Sequence, residues 1–222
     1  SLGTVMTPRI ASVLSNNNKE KVEEYLAKSI NFVFFLGIPL TLGVMSVAKT
    51  LVPWFLGEEF SLSVSILMTG SLLIIAKGFT DVAGVQYLIP SRNQAIFTKS
   101  VVTGAILNVV LNFILIPICG AIGAIIASVI AEVAIAIVQY YYVKKQINIQ
   151  IFTKAYLKYI VSGVLMFLTV YVMGIFMEPT IITTILQICV GGIIYIGSLL
   201  IMKDKFLCER LDKILRTLKI KK

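Results

Sequence analysis

Charged residues are missing from several long stretches of this sequence. Asp, Glu, Lys and Arg are absent from residues 30–48, 60–76, 100–131, 159–177 and 180–202. A helix that crosses the hydrocarbon core of a bilayer needs about 20 largely apolar residues. Only 14% of the chain is charged, against about 25% in soluble globular domains. The sequence therefore predicts an all-α integral membrane protein.

The stretch 100–131 is too long for one crossing and carries a turn signal in its middle. Within "IPICG", Pro117 and Gly120 favour a tight turn between two helices. Six complete spans are predicted, at residues 30–48, 61–90, 95–116, 121–143, 159–177 and 180–202. Residues 1–15 hold too few apolar side chains to cross a bilayer. We expect them to be the end of a truncated helix, and the chain to be the C-terminal part of a larger protein.

The positive charge of the chain lies on alternate connections between the predicted spans. The formal net charge is +9, and every Lys and Arg except Lys49 and Lys77 falls on one side. This is the pattern in which basic connections stay in the cytoplasm. It predicts a multi-pass protein with a cytoplasmic C-terminus, and it argues against a nucleic-acid partner, which would need a basic patch on a soluble face.

The sequence offers few side chains for covalent or metal chemistry. It contains no histidine, and its three cysteines, Cys119, Cys189 and Cys208, are far apart. The absence of histidine removes Ser-His-Asp and Cys-His catalysis and the commonest metal ligand. We therefore expect neither an enzyme nor a metal or cofactor site.

A lysine and an aspartate lie inside the apolar span 61–90. Lys77 and Asp81 are four residues apart, so they share one face of a helix and are expected to pair. Such residues cost about 2.5 to 3.5 kcal/mol each at the centre of a membrane helix, so a functional reason is expected. Their face is predicted to meet water or a polar substrate. The alternative is a long helix that projects beyond the bilayer and carries Lys77 near a surface.

Two further spans carry polar residues along one face. The polar residues are Asn108 and Asn112 on one span and Ser128, Glu132 and Gln139 on the next. Hydrogen bonding between helices is the expected role of the asparagines. For Glu132, a cavity or ion site and a structural pair both remain open. Small residues at three- and four-residue spacing in 120–131 predict close packing of the backbones of neighbouring helices.

Three local features lie outside these polar faces. Pro39, inside the first span, is expected to kink that helix and to need a neighbour or a water for the carbonyl it frees. The outer segment "LVPWFLGEEF" predicts a short helix at the membrane interface, with Trp54 and Phe55 at headgroup depth. The tail, residues 203–222, predicts a basic amphipathic helix on the cytoplasmic leaflet, or alternatively a partner-binding segment.

Several short segments resemble a known family in their order and spacing. They are "TPRIAS", "GIPLTLG", "LVPWFLGEEF", "GVQYLIPSRNQ" and "ILNVVLNFILIPICGAIGAIIASVIAE". Together they resemble the C-terminal half of bacterial polysaccharide flippases of the Wzx type, which handle O-antigen and capsule repeat units. These belong to the multidrug/oligosaccharidyl-lipid/polysaccharide exporter superfamily. The resemblance covers residues 3–143, and the last two spans match by position and hydrophobicity.

The resemblance implies a transporter with two helical lobes around a central cavity. This chain would hold most of the second lobe at residues 1–143, two additional helices at 144–202 and the tail at 203–222, while the first lobe would be missing. Such proteins move undecaprenyl-pyrophosphate-linked oligosaccharides to the outer leaflet of the bacterial plasma membrane. The movement would use alternating access coupled to a gradient of H⁺ or Na⁺, with membrane lipids as the other partners.

The same resemblance assigns candidate roles to individual residues. Lys77 and Arg92 are the candidates for binding the pyrophosphate. The candidates for the sugar or the coupling ion are Asp81, Gln86, Asn108, Asn112 and Glu132.

Other functions stay open at this point. A drug or metabolite exporter, or a flippase for the lipid-linked peptidoglycan precursor, would belong to the same superfamily; a richly basic cavity would indicate the precursor flippase. A non-transporting scaffold or a membrane-bound glycan polymerase is a different class. A polymerase is expected to present acid and base groups on a sizeable outer loop, and the outer loops here are short.

Overall fold

The computed structural model describes residues 2–16, 18–147, 154–208 and 210. Every regular element in these residues is helical. The elements are α1 (Leu2–Ser15), α2 (Lys19–Phe55), a 3₁₀ turn (Glu58–Phe60), α3 (Ser61–Gly70), α4 (Leu72–Thr80), a π-helical segment (Asp81–Leu88), α5 (Gln94–Gln146), α6 (Lys154–Phe176) and α7 (Ile181–Ile201). Five stretches of helix in the described residues are long and apolar enough to cross a membrane. The all-α membrane architecture is confirmed.

The longest of these stretches, α5, is a hairpin of two spans. Gly120 has φ 57° and ψ −135°, a backbone conformation that side chains with a Cβ avoid. We call the arms α5a (residues 94–119) and α5b (residues 121–146). The arms run antiparallel, since Leu115 lies against Gly123, Asn108 bonds to Ser128 at 3.3 Å and Gly104 lies against Ile135. With α5 divided here, the described residues contain the six predicted spans.

Small residues bring the two arms of α5 into backbone contact. A Cβ on Gly123 would lie 2.2 Å from the carbonyl oxygen of Leu115, and one on Gly104 would lie 2.3 Å from Ile135. Ala127 and Ala131 are buried at the same seam. The close packing predicted for residues 120–131 is thus confirmed.

The predicted span 61–90 is not one regular helix. The α-helix is interrupted at Ser71, between α3 and α4, and then changes to π geometry at Asp81. The π segment is recognised by backbone hydrogen bonds between residues five apart. For example, the N–H of Ile89 bonds to the carbonyl of Gly84 at 3.1 Å. A Cβ on Gly84 would lie 2.8 Å from the ring of Phe97. Glycine therefore allows α5 to pack directly on this segment.

Helices α6 and α7 pack against α2. Pro39 lies inside α2 and cannot donate a backbone hydrogen bond to Phe35, four residues earlier. The hydroxyl of Tyr195 on α7 donates to that Phe35 carbonyl at 2.8 Å. The expectation that a neighbour binds the carbonyl freed by Pro39 is confirmed.

A second set of polar contacts joins α2, α6 and α7 near the C-terminal end of α2. Gln187 on α7 is fully buried, accepts a hydrogen bond from Thr50 and donates to the carbonyl of Val170 on α6 at 3.0 Å. The indole N–H of Trp54 donates to Thr184 at 2.8 Å. The predicted separate interfacial helix is therefore wrong in part: Trp54 belongs to the last turns of α2, and only the 3₁₀ turn follows it.

The connections that carry the basic residues lie at one end of the bundle, because successive spans alternate in direction. At this end Asp204 is buried and accepts a hydrogen bond from the backbone N–H of Leu207 at 3.0 Å. Of the amphipathic helix predicted for residues 203–222, residues 205–208 and 210 are helical, and residues 211–222 lie outside the described part of the chain.

Candidate functional site

An open groove lies where α4, the π segment and the two arms of α5 meet. Its volume is about 400 Å³. It is lined by Lys77, Thr80, Asp81, Val85, Phe97, Val101, Glu132, Ile135 and Gln139. Three of these side chains carry ionisable groups, although the groove lies within helices of membrane-spanning length. Ionisable groups at membrane depth are by default candidates for a functional site.

The lysine of the groove pairs with Glu132, so the predicted pair with Asp81 is wrong. The Nζ atom of Lys77 lies 3.0 Å from Oε2 of Glu132, and the Thr80 hydroxyl donates to Oε1 at 2.8 Å. The carboxylate of Glu132 thus links α5b to two side chains near the C-terminal end of α4. The side chain of Lys77 is 66% exposed and that of Glu132 14%, so the ammonium faces the open groove while the carboxylate is held behind it.

Asp81 has a different partner because the helix changes its geometry at this residue. In a π-helix the backbone hydrogen bonds join residues five apart rather than four, and the Nε2 atom of Gln86, five residues on, donates to Oδ2 of Asp81 at 3.0 Å. The carboxylate also lies against α1, since a Cβ on Gly3 would be 3.2 Å from the same oxygen. The α-helical spacing assumed for the sequence does not apply across this junction.

Gln139 completes the polar lining on α5b. Its Nε2 atom donates to the hydroxyl of Ser100 at 3.0 Å, and its Oε1 atom lies 2.9 Å from where a Cβ on Gly84 would be. Both Gln139 and Gln86 are fully buried. Their Oε1 atoms are two of the buried side-chain atoms that have no hydrogen-bond partner in the described residues.

Four of the predicted site residues do not line this groove. Asn108 and Asn112 lie along the α5 hairpin, where Asn108 bonds to Ser128 and Asn112 donates to Asn108 at 3.0 Å. The predicted hydrogen bonding between helices is confirmed for Asn108, whereas the bond of Asn112 to Asn108 lies within one arm. Gln86 is buried behind Asp81. Arg92 is exposed on the connection after the π segment and has φ 60°.

Thr80 and Ser100 are parts of the site that the sequence did not single out. Each is a small hydroxyl residue in an apolar helix, where such side chains commonly bond to the backbone of their own helix. Thr80 does so, to the carbonyl of Lys77 at 3.1 Å, in addition to its bond to Glu132. Only the spacing of Thr80, three residues after Lys77, could have linked it to the charged face.

The charges of the groove do not balance. Its described lining contains one ammonium, from Lys77, and two carboxylates, from Asp81 and Glu132. Glu132 already neutralises the lysine. Among the described residues, Asp81 accepts a hydrogen bond from the neutral amide of Gln86, at 3.0 Å. This part of the protein is therefore better suited to a cation near Asp81 and to an anion only at the exposed side of Lys77.

Comparison with known proteins places the chain among flippases. Residues 1–191 match the model of the family described as lipid II flippase MurJ. The chain is 24% identical over 155 residues to the probable low-salt glycan biosynthesis flippase Agl15 of Haloferax volcanii. It is 26% identical over 136 residues to a candidate O-antigen transporter of Shigella dysenteriae. These matches cover 68% and 61% of this chain, and 32% and 33% of the relatives.

A solved structure has the same fold. It is that of a lipid II flippase MurJ in an inward closed conformation, with a TM-score of 0.77 and 18% sequence identity. The match covers 93% of this chain and 43% of the solved chain. The chain thus spans about a third of the length of the two curated relatives and under half of the solved protein.

The comparisons also bear on the resemblance that the sequence showed. The kinship with flippases of lipid-linked glycans is confirmed. The matching family model is that of the lipid II flippases, and a flippase for the lipid-linked peptidoglycan precursor was one of the alternatives that the sequence left open. Since the model matches residues 1–191 of 222, the chain belongs to the lipid II flippase MurJ family.

Proposed function

We propose that this chain is part of a flippase that moves a lipid-linked glycan across the membrane, and that the groove lies on the path of the polar headgroup. The observation that carries the proposal is the position of Lys77. Its ammonium lies among membrane-spanning helices, yet its side chain is 66% exposed to an open groove. A charge at this depth without access to water or a substrate would be costly.

The chemistry of the groove suits a headgroup of this kind. A lipid diphosphate is anionic, and an ammonium has three N–H donors, of which the bond to Glu132 uses one. The hydroxyl and carboxylate groups around it offer donors and acceptors to the sugar. The further cations needed to balance a diphosphate would come from parts of the protein outside the described residues, such as the first lobe of the transporter.

Two substrates fit this reasoning. The proposed substrate is an undecaprenyl-pyrophosphate-linked oligosaccharide, supported by the relatives named for glycan biosynthesis and O-antigen transport. The second candidate is the lipid-linked peptidoglycan precursor, supported by the family model. Both carry a lipid diphosphate, so the proposed role of Lys77 is the same for either.

The mechanism we propose is alternating access driven by an ion gradient. We expect the helix to bend at the π segment during this movement, because π segments in helices are often found at functional sites. The protein is proposed to lie in the bacterial plasma membrane with its basic connections and its C-terminus in the cytoplasm. The roles of Arg92, Asn108 and Asn112 in the path remain predictions.

The test uses the complete protein and the pair that the structure contains. Lys77→Met and Glu132→Gln, alone and together, are compared in a glycan-lipid flipping assay in proteoliposomes. We expect both single variants to insert normally and to lose most transport, and the double variant to remain inactive, because the cation is needed for the headgroup. Lys49→Met is the matched control, since Lys49 donates to Tyr171 at 2.9 Å outside the groove.

The double variant decides between a functional and a structural pair. Buried ion pairs replaced together by neutral groups often cost little stability. If the pair were structural, the double variant would therefore recover transport. Wild-type transport by the double variant would contradict the proposal.

A further inference from the structure

The chain changes direction sharply where α7 ends. Lys203 has φ 49°, in the left-handed region that glycine usually occupies at this position of a helix end. The N–H of Lys203 bonds to the carbonyl of Leu200 at 3.0 Å. The N–H of Asp204 bonds to the carbonyl of Leu199 at 3.0 Å. These two bonds form a Schellman motif, so the tail does not continue the axis of α7.

Asp204 starts a new helix at the same turn. Its Oδ1 atom accepts the backbone N–H of Leu207 at 3.0 Å, which is the usual bond of a helix N-cap. The carboxylate belongs to a residue that is only 2% exposed, and the hydroxyl of Tyr159 on α6 donates to the same oxygen at 3.4 Å. The beginning of the tail helix is thus attached to the bundle.

Lys158 on α6 binds the carbonyl groups on the other side of the turn. Its Nζ atom donates to the carbonyl of Met202 at 2.8 Å and to that of Lys203 at 3.3 Å. A lysine at the C-terminal end of a helix also interacts favourably with the helix dipole. The turn therefore has side-chain partners from α6 on both sides, and these partners set the direction in which the tail leaves α7.

The first turn of the tail helix packs on the bundle with its apolar side. The ring of Phe206 lies 5.2 Å from the ring of Phe35 on α2, centroid to centroid, and Leu207 is buried. The exposed side chains in the described part of this segment are Lys203, Lys205 and Arg210. An apolar side facing the bundle and a basic side facing away are the features of a helix that lies on a membrane surface.

The sequence repeats these two sides beyond the described residues. Leu211, Ile214 and Leu218 follow Leu207 at helical spacing. Since Leu207 faces helices that cross the membrane, residues on the same side are expected to face the membrane where the tail passes the edge of the bundle. Residues 203–222 contain eight Lys and Arg and three Asp and Glu, so the segment is attracted to anionic headgroups.

We propose that the turn at residues 202–204 places the tail on the membrane surface at the basic end of the bundle, where the tail binds anionic phospholipids. Lys158 and Asp204 are positioning residues, and the two sides of the tail form the binding surface. The attachment holds α6 and α7 at a fixed depth in that leaflet. It is independent of the substrate and of the groove, which is lined by other helices.

The test follows the tail in the complete protein. The native cysteines are replaced, and a spin label is attached to a single cysteine in Leu211→Cys, Lys213→Cys or Leu215→Cys. Collisions of the label with oxygen report contact with lipid, and collisions with a soluble nickel chelate report contact with water. In vesicles of phosphatidylcholine and phosphatidylglycerol, we expect lipid contact at 211 and 215 and water contact at 213. In phosphatidylcholine alone, all three labels should become more accessible to water.

Variants at the turn test how the tail is positioned. Asp204→Ala removes the N-cap and should lower the ratio of bound to free tail about fivefold. Asp204→Asn is the matched variant and should keep most of the binding, because asparagine also caps helices. Lys203→Gly is a control for the backbone, since glycine adopts the left-handed conformation readily; it should bind at least as well as the wild type.

Each other outcome overturns the proposal. Water contact at all three labels in the anionic vesicles would mean that the tail does not bind the membrane. Equal lipid contact in both kinds of vesicle would exclude a preference for anionic phospholipid. Labels that are immobile in detergent and insensitive to lipid would mean that the tail binds protein. Unchanged lipid contact in Asp204→Ala would refute the role of the turn.

A second variant keeps the test decisive if Asp204→Ala does not fold. Leu211→Asp changes the apolar side of the tail and leaves the turn intact. With the label at 215, it should shift the label from lipid contact to water contact in the anionic vesicles. Unchanged lipid contact in Leu211→Asp would refute the membrane-bound apolar side.

Discussion

Replacing Tyr195 with Phe removes one hydroxyl and leaves the Phe35 carbonyl without the donor that α7 provides. The hydroxyl donates to it at 2.8 Å, and Pro39 cannot provide the usual α-helical N–H. Leaving a buried acceptor unsatisfied costs about 1–3 kcal/mol, whereas interhelical hydrogen bonds in membranes average about 0.6 kcal/mol. We expect Tyr195→Phe to lower the free energy of unfolding by about 1.5 kcal/mol, above that average because the normal donor is missing.

The role of Pro39 makes this magnitude testable in a double-mutant cycle. Pro39→Ala supplies an N–H that can bond to the Phe35 carbonyl. In that background Tyr195→Phe should cost only about 0.5 kcal/mol, which gives a coupling energy of about 1 kcal/mol. The assay is reversible unfolding of the four proteins in mixed micelles of detergent and SDS, with the exposed Tyr142→Phe as control. An equal cost of Tyr195→Phe in both backgrounds would refute the reasoning.

Two further predictions concern the α5 hairpin and the orientation of the chain. Gly123→Ala should lower the free energy of unfolding by about 3 kcal/mol or more, because its Cβ would lie 2.2 Å from a backbone carbonyl. The control, Gly192→Ala, should be near neutral, because no atom lies within 4 Å of its Cβ. Similar Tm values for both variants would contradict the close packing of the arms. Single cysteines at Gln94 and Glu178, introduced after removal of the native cysteines, should react differently in intact cells. A membrane-impermeant maleimide should label only the one at Glu178, and the opposite pattern would reverse the proposed orientation.

The spans and the hairpin were predictable because their causes are local. Apolar length determines which stretches can cross a bilayer, and a single residue, Gly120, makes the turn with a backbone conformation that glycine readily adopts. The seam between the arms follows from the small residues at helical spacing in 120–131. The turn and the seam each depend on residues that lie within a few helical turns of one another in the sequence.

The partners of the charged residues were not predictable because they depend on helix geometry and on distant residues. Lys77 and Asp81 would share a face only if the α-helix continued, and the change to π geometry at Asp81 removes that assumption. Glu132 is 55 residues from Lys77 in sequence, so their contact depends on how α4 packs against α5b. Even so, the sequence alone indicates all three ionisable residues of the groove as candidates, because each lies inside an apolar span.

The attachment of α6 and α7 has a mechanical consequence. In the described part of the chain these two helices pack on each other and on α2, and on no other element. Hydrogen bonds join α7 to α2 near Pro39, where Tyr195 donates, and again at Thr50, which donates to Gln187. A proline makes an isolated helix easier to bend, but α2 is supported around Pro39 by its packing against α6 and α7. We therefore expect this part of the protein to bend at the π-helical segment that begins at Asp81 rather than in α2.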